Sequence, residues 1–181
     1  MFSTLVDVAT LASHAADPAW VILDCRFNLA DKSAGEKAYR KGHLPGALYA
    51  DLEKHLSGPV TVKSGRHPLP ELPTLLDRLG TWGIDTQSQV VVYDDCGGGI
   101  AARCWWLLRW LGHDAVALLD GGLPAWESAG QPLTTEVPSP APRLFTRRRH
   151  EGAVNAAALQ QDSDALLVDA RSAIRFRGEE E

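Results

Sequence analysis

The stretch Gln89-Val90-Val91-Val92-Tyr93 is followed at once by Asp94-Asp95-Cys96, three glycines and an apolar, tryptophan-rich run over residues 100–111. An unbroken β-branched run without polar alternation is the pattern of a strand buried on both faces, as strands are in a parallel sheet. Strand, glycine turn, helix is the unit from which such sheets are wound. The alternation recurs along the chain. Residues 5–16 carry a helical apolar rhythm, and Trp20-Val21-Ile22-Leu23 reads as a strand ending near Asp24. Gly42-His43-Leu44-Pro45-Gly46-Ala47 is a turn leading to a second strand at Leu48-Tyr49. Leu72, Leu75, Leu76 and Leu79 stand at helical spacing before Gly80. Residues 115–119 give a further strand, Asp120-Gly121-Gly122 a tight turn, and 123–129 a short helix closed by Gly130. The expectation is an α/β domain with an open parallel sheet flanked by helices on both faces.

Pro132, Pro138, Pro140 and Pro142 mark a connector, so the expected division is a domain at 1–131, a Pro/Arg-rich linker at 132–149 and a remainder at 150–181. In the remainder, residues 154–159 read as a short helix and 165–168 as a strand. Val6-Asp7-Val8-Ala9-Thr10-Leu11 leading to Leu23-Asp24-Cys25-Arg26 parallels Val154-Asn155-Ala156-Ala157-Ala158-Leu159 leading to Val168-Asp169-Ala170-Arg171. The remainder is therefore expected to be the truncated start of a second copy of the first domain.

A formal net charge of −5 disfavours nucleic acid as a partner, and Arg147-Arg148-Arg149 reads as a solvated run. No window nears the roughly 20 apolar residues of a membrane span. Three cysteines without CxxC or Cys/His ligand spacing read as free thiols and fit a cytoplasmic setting. No cofactor is expected: the cysteines lack metal-ligand spacing, and the three glycines lack the following Lys-Ser/Thr of a phosphate loop.

Cys96 is the candidate nucleophile. A thiolate there would face loop amides and the positive end of the helix beginning near Ile100, which favour an anionic sulfur. Asp94 and Asp95 oppose it by like-charge repulsion, and the alternative is an incidental small residue. Cys25 and Cys104 read as small buried hydrophobes, Asp24 and Arg26 as a buried pair steadying the edge of the sheet, and His43 as a structural side chain of its turn. Trp105, Trp106 and Trp110 read as core packing.

Leu23-Asp24-Cys25-Arg26, Gly42-His43-Leu44-Pro45-Gly46-Ala47, Tyr93-Asp94-Asp95, Trp105-Trp106 and Asp120-Gly121-Gly122 followed by Trp126, taken in that order, resemble the rhodanese family. The tail segments Val168-Asp169-Ala170-Arg171 and Arg175-Phe176-Arg177-Gly178 resemble the second domain of its tandem thiosulfate and 3-mercaptopyruvate sulfurtransferases. The resemblance implies transfer of sulfane sulfur from a small anionic donor to cyanide or a thiol acceptor through a cysteine persulfide. It also implies that the first domain of tandem members is usually silent and that the main catalytic loop lies beyond this chain, with a second domain or a swapped copy as partner. By the same resemblance, Arg171 and Arg175 bind the donor's carboxylate or sulfonate, and Glu53 and His67 face a cleft, Glu53 standing where the family more often has Asp. For His67 a loop histidine bonded to backbone is the equal alternative. For the whole chain, the alternatives are a non-catalytic binding or regulatory module and a single-domain enzyme using Cys96.

Overall fold

A computed structural model describes residues 1–148, 152–162 and 164–180; Arg149 and Glu181, which fall within segments named above, lie outside the described residues. The chain forms two compact units, Met1–His150 and Glu151–Glu181.

The first unit is built on five strands, β1 (Leu5–Val6), β2 (Trp20–Asp24), β3 (Leu48–Tyr49), β4 (Gln89–Tyr93) and β5 (Val116–Leu119). All neighbours are parallel, in the order β1-β5-β4-β2-β3. The central strand β4 pairs Val91 with Ile22 on one side and with Ala117 on the other. Around the sheet run α1 (Val8–His14), α2 (Ala34–Lys41), α3 (Leu72–Thr81), α4 (Ala101–Trp110) and α5 (Gly122–Ser128). The two-residue period of the strands divides the core between the faces. Val21, Leu23, Val90, Val92 and Val116 pack with Leu75 and Leu79 of α3 and Cys104, Leu107 and Leu108 of α4. Ile22, Val91, Tyr93 and Ala117 pack with Leu11 of α1 and Leu123 and Trp126 of α5. The parallel sheet with helices on both faces is thus observed, and it aims the strand ends, with Asp24 and Asp94, at one edge.

Three elements differ from the sequence reading. Leu5–Val6 is a strand rather than the start of a helix, because β5 bonds to it: the Leu118 amide donates to Thr4 O at 2.8 Å and the Asp120 amide to Val6 O at 2.9 Å. The helix begins only where Asp7 Oδ1 accepts the Thr10 amide at 2.7 Å, an N-cap. Helix α2, from the polar stretch Ala34–Lys41, has no counterpart in the reading. Helix α3 runs through Gly80 to Thr81, so that glycine is not a stop; a Cβ on Gly80 would lie 2.5 Å from Arg143 O.

Residues 132–148 form no helix, yet they are strapped to the first unit. Thr134 and His43 exchange two amide–carbonyl bonds of 2.9 Å, the Arg143 amide donates to Gly80 O at 2.9 Å, the Arg148 amide donates to Leu111 O at 3.0 Å, and Phe145 is buried in the core.

The second unit contains α6 (Ala156–Gln161) and α7 (Ala173–Phe176). Asn155 Oδ1 accepts the Ala158 amide at 2.8 Å and so caps α6. The strand expected over residues 165–168 does not form: Leu166, Leu167 and Val168 are exposed and pair with no strand among the described residues. An extended segment becomes a strand only against a neighbour.

Candidate functional site

At the sheet edge, Asp24 is fully buried and organises three segments. Its Oδ2 accepts from Tyr93 Oη at 2.7 Å and from Arg26 Nη2 at 2.6 Å, while Oδ1 accepts the Arg26 amide at 3.0 Å. Arg26 Nη2 also donates to Gly42 O at 2.8 Å, and the Leu44 amide donates to Tyr93 Oη at 3.2 Å. The expected buried pair therefore ties β2 and β4 to the turn at 42–47. Burial, with the Asp24 charge next, pushes the Tyr93 phenol well above its usual range, so it stays a neutral donor. His43 has Nδ1 at 2.8 Å from Tyr39 O and Nε2 at 3.0 Å from Glu136 O, which is a structural placement. Cys25 and Cys104 are buried free thiols.

Cys96 follows β4 in the glycine loop and is an exposed free thiol. Four amides of the loop are gathered by Asp94. Asp94 Oδ1 accepts from the amides of Cys96 (3.0 Å) and Gly98 (2.8 Å), and Oδ2 from those of Ile100 (2.8 Å) and Ala101 (2.9 Å). Burial works against the charge on Asp94, but the four amides together hold it below the usual carboxylate range. Partial desolvation, with the Asp94 carboxylate next, pushes the Cys96 thiol up. Gly97 and Gly98 take φ of +79° and +89°, a left-handed backbone that turns the amides inward. From sequence Asp94 reads as a charge opposing Cys96; an Asp shortly before a glycine loop and a helix start is the available signal of such a clamp.

Glu53 and His67 are brought together, with Nε2 of the imidazole 3.7 Å from Oε1 of the carboxylate. Each arrives by a separate arm of one long loop. Asp51 Oδ1 accepts the Glu53 and Lys54 amides at 2.9 Å each, a tight turn that fixes the first arm. The Gly58 amide donates to Pro68 O at 3.0 Å and closes the second arm on the first. The Phe27 ring meets His67 edge-on, with centroids 6.3 Å apart, and Lys32 Nζ lies 2.9 Å from Glu53 Oε1. Phe27, Lys32 and Asp51 were not singled out from sequence, which gives no sign of which loop residues meet. An imidazole beside a carboxylate and an aromatic edge can hold and pass a proton.

The sequence profile described as "Rhodanese-like domain" matches residues 7–129. The chain belongs to the rhodanese-like family. Among relatives, it is 46% identical over 183 residues to a Pseudomonas aeruginosa protein named "Probable 3-mercaptopyruvate sulfurtransferase", covering 98% of this chain and 64% of that one. Among solved structures, it is similar to 3-mercaptopyruvate sulfurtransferase from Leishmania major, with 34% identity and TM-score 0.79 over 97% of this chain and 48% of that one. It is also similar to SseA from Escherichia coli, described under 3-mercaptopyruvate sulfotransferases, with 28% identity and TM-score 0.87 over 98% of this chain and 69% of that one. The chain thus spans less than two thirds of the length of the Pseudomonas relative.

The rhodanese-like domain contains Cys96, Glu53 and His67, whereas Arg171 and Arg175 belong to the second unit, where both are exposed. Arg171 is bound by Asp169 through Nη2 to Oδ2 at 2.6 Å and Nε to Oδ1 at 3.0 Å, and this pairing holds the Asp169 carboxyl down at about 2. The Asp169–Arg171 pair reproduces the Asp24–Arg26 geometry, in which Nη2 to Oδ2 is also 2.6 Å and Nε to Oδ1 also 3.0 Å. Arg175 stands in the last turn of α7. Among the described residues no group of His, Cys, Asp and Glu is arranged to hold a metal ion, and no helix is long and apolar enough to cross a membrane.

Proposed function

We propose that this rhodanese-like domain takes part in moving sulfane sulfur from thiosulfate or 3-mercaptopyruvate to cyanide or a thiol through a cysteine persulfide, and that Glu53 and His67 are its contribution to the chemistry. The carrying observation is the Glu53–His67 pair at 3.7 Å beside Phe27, in a chain that aligns over 98% of its length with a relative named for 3-mercaptopyruvate sulfur transfer. A thiolate attacking the donor sulfur breaks the S–S bond of thiosulfate and releases sulfite with the electron pair. From 3-mercaptopyruvate it breaks the C–S bond and releases the enolate of pyruvate, which then takes a proton. An imidazole with a carboxylate near it is a side chain of the type that can deliver that proton. Residues 152–180 are read as the opening of a repeat of the first domain, supported by the matching Asp-x-Arg pairs and the Asp7 and Asn155 caps. Within them Arg175 suits the donor's carboxylate or sulfonate better than Arg171, whose guanidinium Asp169 holds. With Asp94 occupying the loop amides, Cys96 is a poor thiolate, so the attacking sulfur is assigned outside this loop. Three free cysteines support a reducing, cytoplasmic working place.

A second reading puts the persulfide on Cys96, favoured by its being the exposed thiol of the three cysteines. Donor titration followed at the His67 ring by NMR, cyanolysis with each donor, and intact mass for an added sulfur atom separate the two. The first reading expects donor-induced shifts at His67 that weaken in Glu53→Gln and persist in Cys96→Ala. Turnover and an added sulfur that both vanish in Cys96→Ala establish the second. No shift at His67 and no added sulfur would sink both.

A further inference from the structure

Helix α4, which begins directly after the Cys96 loop, carries an arginine that makes no ion pair among the described residues and spends its guanidinium on carbonyl groups. Arg103 Nε donates to Leu56 O at 2.9 Å, and Nη2 donates to His67 O and Pro68 O at 3.0 Å each. Leu56 lies on the arm that carries Glu53; His67 and Pro68 lie on the returning arm. Between them the chain makes an exposed excursion over residues 59–66, in which Val60 and Val62 stand in solvent. The excursion contributes no core contact that would order its ends, and ordering each loop residue costs backbone entropy that bonds to the arms must offset. The planar, multi-donor fork of an arginine reaches both arms at once, which a lysine ammonium does not. The first arm also has its own support in Asp51, which binds the Glu53 and Lys54 amides; the returning arm is tied to the first by the Gly58 amide at Pro68 O, and the Arg103 bonds fall on that carbonyl and on His67 itself, which the Gly58 bond does not reach.

We propose that Arg103 is a positioning residue that staples the two arms and so holds His67 opposite Glu53. The proposal rests on the reading of Glu53 and His67 as the working pair, and it links them to the helix that follows the cysteine loop. Arg103 touches neither side chain; it acts through the backbone on which His67 is mounted.

The test compares the full chain with Arg103→Gln and Arg103→Lys. The readouts are the NOE between the His67 and Phe27 rings, amide exchange over residues 57–68, and the NOE between the stacked Tyr39 and His43 rings, whose centroids are 3.8 Å apart, as a control for the fold. In Arg103→Gln the His67–Phe27 NOE is expected to vanish and the loop amides to exchange at least about tenfold faster, as loss of charge-assisted bonds implies. The Tyr39–His43 NOE is expected to remain, and Arg103→Lys to recover part of the protection. An unchanged ring NOE and unchanged exchange in Arg103→Gln overturn the proposal. So does an Arg103→Lys chain that folds with wild-type exchange, or one that loses the Tyr39–His43 NOE together with the loop. These readouts contain no turnover, so absence of sulfur transfer leaves them standing, and the donor titration above reports separately on the function.

Discussion

Asp94 gathers four amides of the loop after β4, and its charge beside Cys96 opposes an anionic sulfur, so one carboxylate both builds the loop and works against a thiolate in it. Its two oxygens each take two donors, and an asparagine, with one oxygen and an NH2 group, would leave two inward-facing amides without an acceptor. Asp94→Asn is therefore expected to cost about 2–3 kcal/mol in urea unfolding, the range for losing hydrogen bonds to a charged partner. The same change removes the nearest negative charge from Cys96, so its thiol should titrate lower and react faster with iodoacetamide near neutral pH. A destabilised variant with unaltered Cys96 reactivity would separate the two effects and count against the electrostatic one. Of this local chemistry the sequence shows the opposing charges but not the amides, because hydrogen-bond direction in a glycine loop depends on φ values that no residue name specifies.

At the scale of elements, the segment 132–148 behaves as a strap rather than a free linker. Gly80 lacks a Cβ where Arg143 O passes, and Phe145 fills the core beside it. Gly80→Ala is expected to lift the strap by displacing Arg143, read as new protease cutting within 132–148. Phe145→Ala should cost about 3–4 kcal/mol in chemical denaturation; a smaller loss with no new cutting would mean the strap is held by its backbone bonds alone. The same scale explains what could be read from sequence. Val90–Val92 and Leu72–Leu79 are legible because buried periodicity is local, and an open parallel sheet follows from their alternation with turns. Leu5–Val6 and residues 165–168 are not, because a strand is decided by whether another strand lies alongside: β5 pairs with the first, and nothing among the described residues with the second. Helix α2 escapes because most of its surface is polar and its buried contacts are Gly35 and Tyr39. For the site, Glu53 and His67 carried a signal only through the family resemblance, whereas Asp51 and Arg103, which hold the arms in place, are joined to them by contacts that spacing does not encode.

For the whole first unit, the loss of stability just below neutral pH depends on buried neutral imidazoles, and the carboxylates enter at lower pH. Burial pushes the imidazoles of His55 and His113 below their ordinary value, with Arg78 adding to the effect at His55 and Arg148 at His113. His55 Nδ1 accepts the Asp51 amide at 3.0 Å and so needs its lone pair, while His113 packs against Phe145. Both groups bind a proton more readily in the unfolded chain, where the pKa is about 6.5. Their contribution to stability is therefore complete above that value and is lost as pH falls through about 6.5 toward the lower folded values, by at most about 1.4 kcal/mol per pH unit for each histidine. Asp94, whose folded value is also lowered, follows the same sign but enters only below about pH 4. Urea unfolding between about pH 7 and pH 5 should thus show falling stability while ordinary carboxylates remain largely charged. His55→Gln and His113→Gln, whatever they cost at neutral pH, should each flatten part of that slope, and the double variant should flatten most of it. A double variant that keeps the wild-type slope would assign the acid sensitivity to other groups.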